Sequence, residues 1–287
     1  MKTAQSIAEV RQIVSEARAA GQTVGFVPTM GGLHEGHLSL IDAAGAECDF
    51  VVVSIFLNPT QFAPSEDLST YPRSIEADLA ACQGRGAELV FMPDVETMYP
   101  GGAATTVTVS GLTDTLCGQS RPTHFAGVCT IVAKLFNIVA PDKAFFGQKD
   151  YQQLAIISQM VRDLDMPVQI ASCPIVREPD GLAMSTRNQR LSPEARSQAV
   201  SLHEALEIAV DQIRRSRAAA AEVIASAGAY IAANAPAGEL DYLQIVDPAT
   251  LQDVETTDAD VLIAVAVKFP GARLIDNMLV DSAGPRQ

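Results

Sequence analysis

No run of about 18 or more apolar residues occurs in the sequence, so nothing in it reads as a transmembrane helix. The first residues, Met1–Ser6, lead into an amphipathic pattern rather than an apolar signal core. Paired cysteines are missing as well. Cys48, Cys82, Cys117, Cys129 and Cys173 are scattered and odd in number, and none forms a Cys-x-x-Cys pair. That pattern argues against a disulfide framework and a structural zinc, and for reduced thiols in a cytoplasmic protein. Each cysteine is expected to be a small buried apolar residue. Cations are scarce. Lys and Arg number 20 against 34 Asp and Glu, a net charge of −14, and lysine occurs only at Lys2, Lys134, Lys143, Lys149 and Lys268. A surface this acidic argues against a nucleic-acid-binding face. It also means that an anionic ligand has to be met by a few locally placed cations. No internal repeat or low-complexity tract stands out, and the alanine bias of Arg217–Ala237 is explained by helix propensity.

What is present is a globular composition, 48% hydrophobic and 19% charged over 287 residues, enough for one large domain or two. The chain is organised around Pro28-Thr29-Met30-Gly31-Gly32-Leu33-His34-Glu35-Gly36-His37. The β-branched run Thr23–Val27 precedes it and the helical pattern Leu38–Ala44 follows, which makes it a strand–loop–helix junction. Its glycines let backbone N–H groups approach a ligand, and the helix start favours an anion. His34 and His37, three residues apart at that start, can share one face. Gly36 between them leaves room for a flat group. The zinc-protease pattern needs histidines four apart on a continuous helix, so metal ligation by this pair is disfavoured.

Ser6–Ala20 reads as an amphipathic helix and Asp49–Leu57 as a parallel strand buried on both faces. Ser74–Arg85 reads as a helix, Glu88–Met92 as a strand, Phe125–Ile138 as a buried helix, and Lys143–Phe146 as a strand. Tyr151–Asp163 follows as helix and Val168–Ala171 as strand. Thr105–Val109 is expected to form a short strand apart from the main sheet. Alternation of strand and helix predicts a parallel sheet with right-handed crossovers. Near Arg177 the character changes. Two alanine-rich helices, about Pro193–Arg217 and Ala220–Asn234, precede strands at Tyr242–Val246, Val261–Val267 and Arg273–Asp276. The fold class is therefore α/β: a Rossmann-like parallel-sheet domain over 1–176, and a smaller C-terminal α+β domain over 177–287 carrying an antiparallel sheet.

Ligands of open parallel sheets bind beyond the carboxyl ends of the strands, where the polar signatures collect. His34 and His37 follow the first strand, Asn58 and Gln61 the second, and Gly147, Lys149 and Asp150 a later one. Lys149 at a helix start faces the positive helix end, so it calls for a compensating anion: Asp150 or a bound phosphate. Ser185, Thr186 and Arg187 form a phosphate-clamp combination, arginine being suited to phosphate geometry. Gln61 and Gln153 are neutral amides that fit a ligand or an ordinary loop or helix position equally. Asp67 and Asp78 are of the residue type magnesium takes, although a solvated face would also account for either.

With these residues in view, the chain resembles the nucleotidyltransferase superfamily, which includes the class I aminoacyl-tRNA synthetases. Within it the chain is most similar to the pantothenate synthetase family. Five ordered motifs carry the resemblance: Pro28–His37, Asn58-Pro59-Thr60-Gln61-Phe62, Tyr71-Pro72-Arg73, Phe146–Gln153 and Met184–Asn188. Serine is frequent in the family where Thr186 stands, and the position of Gln148 varies; neither change removes a charge or donor. The resemblance implies that (R)-pantoate is activated with ATP and magnesium to pantoyl adenylate and pyrophosphate. β-Alanine then displaces AMP to give pantothenate, a step toward coenzyme A. It implies an ATP site of Met30, Gly31, Gly32, Leu33, His34, Glu35, Gly36 and His37, joined by Gly147, Gln148, Lys149 and Asp150. Val176 borders the adenine, and Met184, Ser185, Thr186 and Arg187 close over the phosphates. His34, His37, Lys149 and Arg187 are the implied catalytic residues. Gln61 and Gln153 are the implied pantoate contacts, Asp78 the magnesium ligand, and a homodimer the assembly, with closure of the C-terminal domain shielding the adenylate from water. Another nucleotidyltransferase is the nearest alternative in chemistry, and a non-catalytic nucleotide-binding protein the alternative of another class. A tRNA synthetase is disfavoured by the charge, and an NAD-binding domain by the glycine spacing.

Overall fold

The computed structural model describes residues 1–64, 66–72, 74–216 and 218–281. Arg73, in the third motif, and Arg217, at the expected end of a helix, lie outside the described residues. Contacts divide the chain into two compact units: Met1–Ser110 with Arg121–Gln148 and Gln153–Ile175, and Gly111–Ser120 with Lys149–Gln152 and the chain from Val176 onward.

The first unit holds β1 (Lys2–Ala4), α1 (Ile7–Ala19), β2 (Val24–Thr29), α2 (Glu35–Glu47), β3 (Phe50–Ile55), α3 (Ile75–Gly84), β4 (Leu89–Phe91) and α4 (Val95–Met98). After α5 (Cys117–Ser120), a single turn belonging to the second unit, come α6 (His124–Val139), β5 (Lys143–Gly147), α7 (Tyr151–Asp163) and β6 (Gln169–Cys173). The six strands form one sheet in the order β1-β4-β3-β2-β5-β6, every pairing parallel. This is the expected α/β architecture. Val51, Val52 and Val53 are buried in β3, as are Phe26 and Val27 in β2, which is why both read as apolar runs rather than alternations. The chain leaves β2 toward β3 on one side and returns to β5 on the other. The carboxyl end of β2 is therefore the topological switch point where such sheets bind ligands.

Three local expectations are corrected. β2 runs on through Pro28 and Thr29, paired with Ser54 and Ile55. Pro28 lies past the last β2 residue paired with β5, so its missing N–H removes no bond there. β1 is an additional strand, too short at three residues to show a period. Thr105–Val109 is not a strand; the Val107 N–H donates to the Thr130 hydroxyl at 2.9 Å instead.

The second unit contains α8 (Pro193–Ala199), α9 (Ser201–Ser216), α10 (Ala220–Asn234), β7 (Glu239–Val246), β8 (Val261–Phe269) and β9 (Ala272–Val280). The strands form an antiparallel sheet in the order β7-β8-β9. The expected helix Pro193–Arg217 is two helices, offset at Val200, where the Ser201 hydroxyl bonds the Gln198 carbonyl at 2.7 Å. Leu202, Leu206, Val223, Ile231, Ile245 and Ile263 build this unit's own core. Each such side chain contributes roughly 1.5–3 kcal/mol on burial.

Candidate active site

The loop after β2 is shaped by two residues in the left-handed region, Gly31 at φ 86° and Gly32 at φ 65°. Beneath it lies Asp78 of α3, only 3% exposed. Asp78 Oδ2 accepts the Gly32 N–H at 2.9 Å and Oδ1 the Leu33 N–H at 2.8 Å. A Cβ on Gly31 would stand 3.1 Å from Asp78 Oδ2, so the loop rests directly on the carboxylate. The structure thus gives Asp78 a task besides the magnesium ligation expected of it. It is buried, and both of its oxygens serve main-chain donors. Each oxygen keeps a second lone pair beside the N–H bond it accepts. Among the described residues no group of three or more His, Cys, Asp or Glu is placed to hold a metal ion.

His34 is the N-cap of α2, and its Nδ1 accepts the Gly36 N–H at 3.1 Å. His37, one turn on, accepts the His34 N–H at Nδ1 over 3.4 Å. The ring centroids are 4.1 Å apart and the planes tilt by 42°. An Nδ1 that accepts carries no hydrogen, so each neutral ring holds its proton on Nε2 and is a donor there. The Gly31 N–H bonds the Thr29 hydroxyl at 3.3 Å. The N–H groups of Gly31, Gly32, Leu33, His34 and Gly36 are thus all engaged within the protein, and the loop offers imidazoles more than a backbone cradle. Glu35 is exposed, its carboxylate 2.7 Å from the Arg85 guanidinium.

The turn after β3 carries Gln61, 7% exposed. Its Nε2 lies 3.1 Å from Met30 Sδ, which brings the amide to the edge of the glycine loop. Asn58 Nδ2 donates to Gln61 Oε1 and to the Gly127 carbonyl, each at 3.1 Å. α6 approaches so closely that a Cβ on Gly127 would stand 2.5 Å from the Thr60 carbonyl oxygen. The Gln61 carbonyl is held by Arg121 at 3.2 Å and by His124 Nδ1 at 2.9 Å. Arg121 also pairs with Glu66, at 2.8 Å between Nη2 and Oε2. Burial alone would raise the Glu66 carboxyl, but Arg121 and the Ala63 N–H outweigh it and hold the group below its ordinary value.

At the end of β5, a Cβ on Gly147 would meet nothing within 4 Å, and Gln148 Nε2 donates to the Ser172 hydroxyl at 3.0 Å. The two adjacent glutamines of α7 differ. Gln152 is buried and anchors residues 112–117 through the Cys117 N–H and the Leu112 and Thr115 carbonyls, whereas Gln153 is half-buried.

Lys149, Asp150, Val176 and Met184–Arg187 belong to the second unit. The Lys149 carbonyl accepts from Asn277 Nδ2 at 2.9 Å, and Asp150 is exposed. Val176 and Met184 are joined by a main-chain bond of 3.0 Å, next to a bridge between Arg177 and Ala183. Arg177 grips the buried Asp276 of β9 with two nitrogens, at 2.6 and 3.1 Å, and the Gly181 carbonyl at 3.0 Å. The Ser185 hydroxyl caps the short turn Thr186–Arg190 by accepting the Arg187 N–H at 3.2 Å. Asn188 Nδ2 ties that turn to the Ala183 carbonyl at 3.1 Å. The Met184–Arg187 segment is thus built in, not a loose surface loop. Sequence reasoning missed the roles of Arg177, Asp276 and Gly127; of these only Gly127, a lone glycine inside an apolar helix, left a local signal.

The model of the family described as pantoate-beta-alanine ligase matches residues 2–279. The chain belongs to that family. It is 52% identical over 281 residues to the pantothenate synthetase of Moorella thermoacetica, covering 98% of this chain and 99% of that protein. With the protein of the same name from Thermotoga petrophila it shares 50% over 280 residues, 98% and 100% of the two chains. Its fold superposes on a crystal structure of pantothenate synthetase from Thermus thermophilus with a TM-score of 0.92, at 46% identity over 97% and 99% of the chains. A pantoate-beta-alanine ligase from Francisella tularensis, complexed with beta-gamma ATP and beta-alanine, gives a TM-score of 0.80 at 33% identity over 97% of each chain. The family match spans residues of both units, and so all five motifs. No helix among the described residues is long and apolar enough to cross a membrane.

Proposed function

We propose that this enzyme condenses (R)-pantoate with β-alanine at the expense of ATP, through a pantoyl adenylate. In the first step a pantoate carboxylate oxygen attacks the α-phosphorus of ATP, and the bond to the bridging oxygen breaks to release pyrophosphate. In the second the amine of β-alanine attacks the acyl carbon. An amide forms, AMP leaves and the amine loses a proton. The observation that carries this reading is the 3.1 Å approach of Gln61 Nε2 to Met30 Sδ. It sets a donor suited to an acid beside the loop that the family motif assigns to the nucleotide.

In this reading His34 and His37 donate from Nε2 to phosphate oxygens, and Lys149 and Arg187 neutralise the charge that develops as pyrophosphate departs. Met30–Gly36, Gly147, Gln148, Asp150, Val176 and Met184–Thr186 complete the nucleotide contacts, and Gln61 and Gln153 hold pantoate. Magnesium enters with the phosphates of ATP. The enzyme acts as a cytoplasmic homodimer. ATP–pyrophosphate exchange with (R)-pantoate and magnesium, β-alanine omitted, is the test. Pantoate-dependent exchange, followed by AMP release when β-alanine is added, is expected. Exchange that ignores pantoate, or none in a protein that binds ATP, would overturn the reading.

A further inference from the structure

Tyr99 follows α4 and is 9% exposed, its ring 6.3 Å from that of Phe56 and with Lys134 Nζ 5.7 Å above it. Its hydroxyl donates to Asn58 Oδ1 at 2.8 Å and stands 3.3 Å from the Thr60 hydroxyl. Asn58 is 1% exposed, and its surroundings fix which end of its amide is which. The Gly127 carbonyl can only accept and faces Nδ2; the Thr60 N–H can only donate and faces Oδ1 at 3.4 Å. Nδ2 donates onward to Gln61, so the Gln61 atom it meets is the oxygen. The Gln61 oxygen is thereby used inside the protein, and its NH2 group is turned toward Met30. Thioether sulfur is a weak acceptor, so an oxygen anion is the better partner for that group. Burial raises the phenol above its ordinary value, so Tyr99 remains a donor throughout the neutral range.

We infer that Tyr99 is a positioning residue for the acid-binding site. With Thr60 and the Gly127 carbonyl it fixes the Asn58 amide, Tyr99 supplying the shortest of these bonds, and Asn58 holds the Gln61 amide oxygen inward, so that Gln61 presents only N–H donors and selects a substrate oxygen that accepts. The inference rests on the reading of Gln61 as a pantoate contact. It adds a residue on a separate element that sets the polarity of that contact.

The test is Tyr99→Phe in the pantoate-dependent exchange assay and in steady-state turnover. Loss of one buried hydrogen bond is expected to raise the pantoate KM about three- to tenfold. The ATP KM should stay within about twofold of wild type, since a defect spread through the fold would move both constants. In a Gln61→Ala background the same change is expected to leave the pantoate KM where Gln61→Ala alone puts it, the two residues acting as one unit. An unchanged pantoate KM in Tyr99→Phe, an equal rise in the ATP KM, or a full further rise in the double variant overturns the inference. Absence of pantoate-dependent exchange in the wild type would instead overturn the reading of the substrate, and the inference with it. Gln61→Glu supplies an independent check on polarity. Replacing the donor by an acceptor of the same size is expected to raise the pantoate KM more than tenfold, and an unaltered value refutes a donor-only contact.

Discussion

Substituting His37→Ala is expected to lower kcat by about 100- to 1,000-fold, the usual cost of removing one donor that stabilises developing charge. The thermal midpoint should fall only a little, because the half-buried ring gives up one weak bond at the start of α2, the His34 N–H at 3.4 Å. Lys149→Ala should behave alike; equal losses of fold and turnover would remove either residue from the catalytic set. Asp78→Ala belongs to a different kind. It would remove the carboxylate that accepts the half-buried Gly32 and Leu33 N–H groups, at about 1–3 kcal/mol in all, and a urea titration should show it. The contrast explains what was legible at this scale. The histidines announce themselves by glycines at a strand–helix junction. Asp78 bonds a loop 45 residues away, and nothing local separates that role from a solvated carboxylate. The expectation of small buried cysteines holds for Cys82, Cys117, Cys129 and Cys173, while Cys48 at the end of α2 is half-exposed. Burial pushes the Cys82 and Cys129 thiols up to about 11. A thiol reagent at pH 8 is expected to modify Cys48 first.

Elements were legible where burial is one-sided or complete. β3 and α6 show their apolar runs plainly, and β8 is buried from Val261 to Val267. β1 and α4, at three and four residues, are too short to carry a period. The offset at Val200 escaped because both helices around it share one alanine-rich pattern. The docking of α6 on the Asn58–Gln61 turn left no more trace than a lone glycine in an apolar helix, because it depends on what a glycine lacks. Gly127→Ala would drive a methyl to 2.5 Å from the Thr60 carbonyl oxygen. The expected cost is about 1–3 kcal/mol of overpacking, with a raised pantoate KM because the turn that carries Gln61 has to shift. A normal pantoate KM in a destabilised Gly127→Ala enzyme would show that the turn moves without Gln61.

For the molecule as a whole, charge sets the response to acid. The Glu66 carboxyl is raised by burial and lowered further by Arg121; Asp241 is raised by burial and lowered further by Lys268 and Arg273. Both therefore lie below their unfolded values of 4.5 and 3.8. A carboxylate depressed in the folded state stabilises above its unfolded value, and that contribution is lost as pH falls through the folded one. Calorimetry is expected to show a nearly level midpoint from pH 7 to about 5 and a fall below about 4.5. Level behaviour down to pH 3 would mean that these ion pairs contribute nothing. The overall architecture was the most legible property of all, since strand–helix alternation and right-handed crossovers admit few alternatives. The pairing of strands distant in sequence has a consequence for how the chain is made. β1 waits for Leu89–Phe91, β2 for Lys143 and Ala144, and β5 for Gln169–Cys173. A ribosome adding about 5–20 residues per second needs roughly 9–35 s to deliver them all. For that interval the most water-averse segments of the nascent chain have no finished sheet to join. The yield of native enzyme in a foreign host should therefore depend on elongation speed and on chaperone supply, whatever the stability of the finished protein.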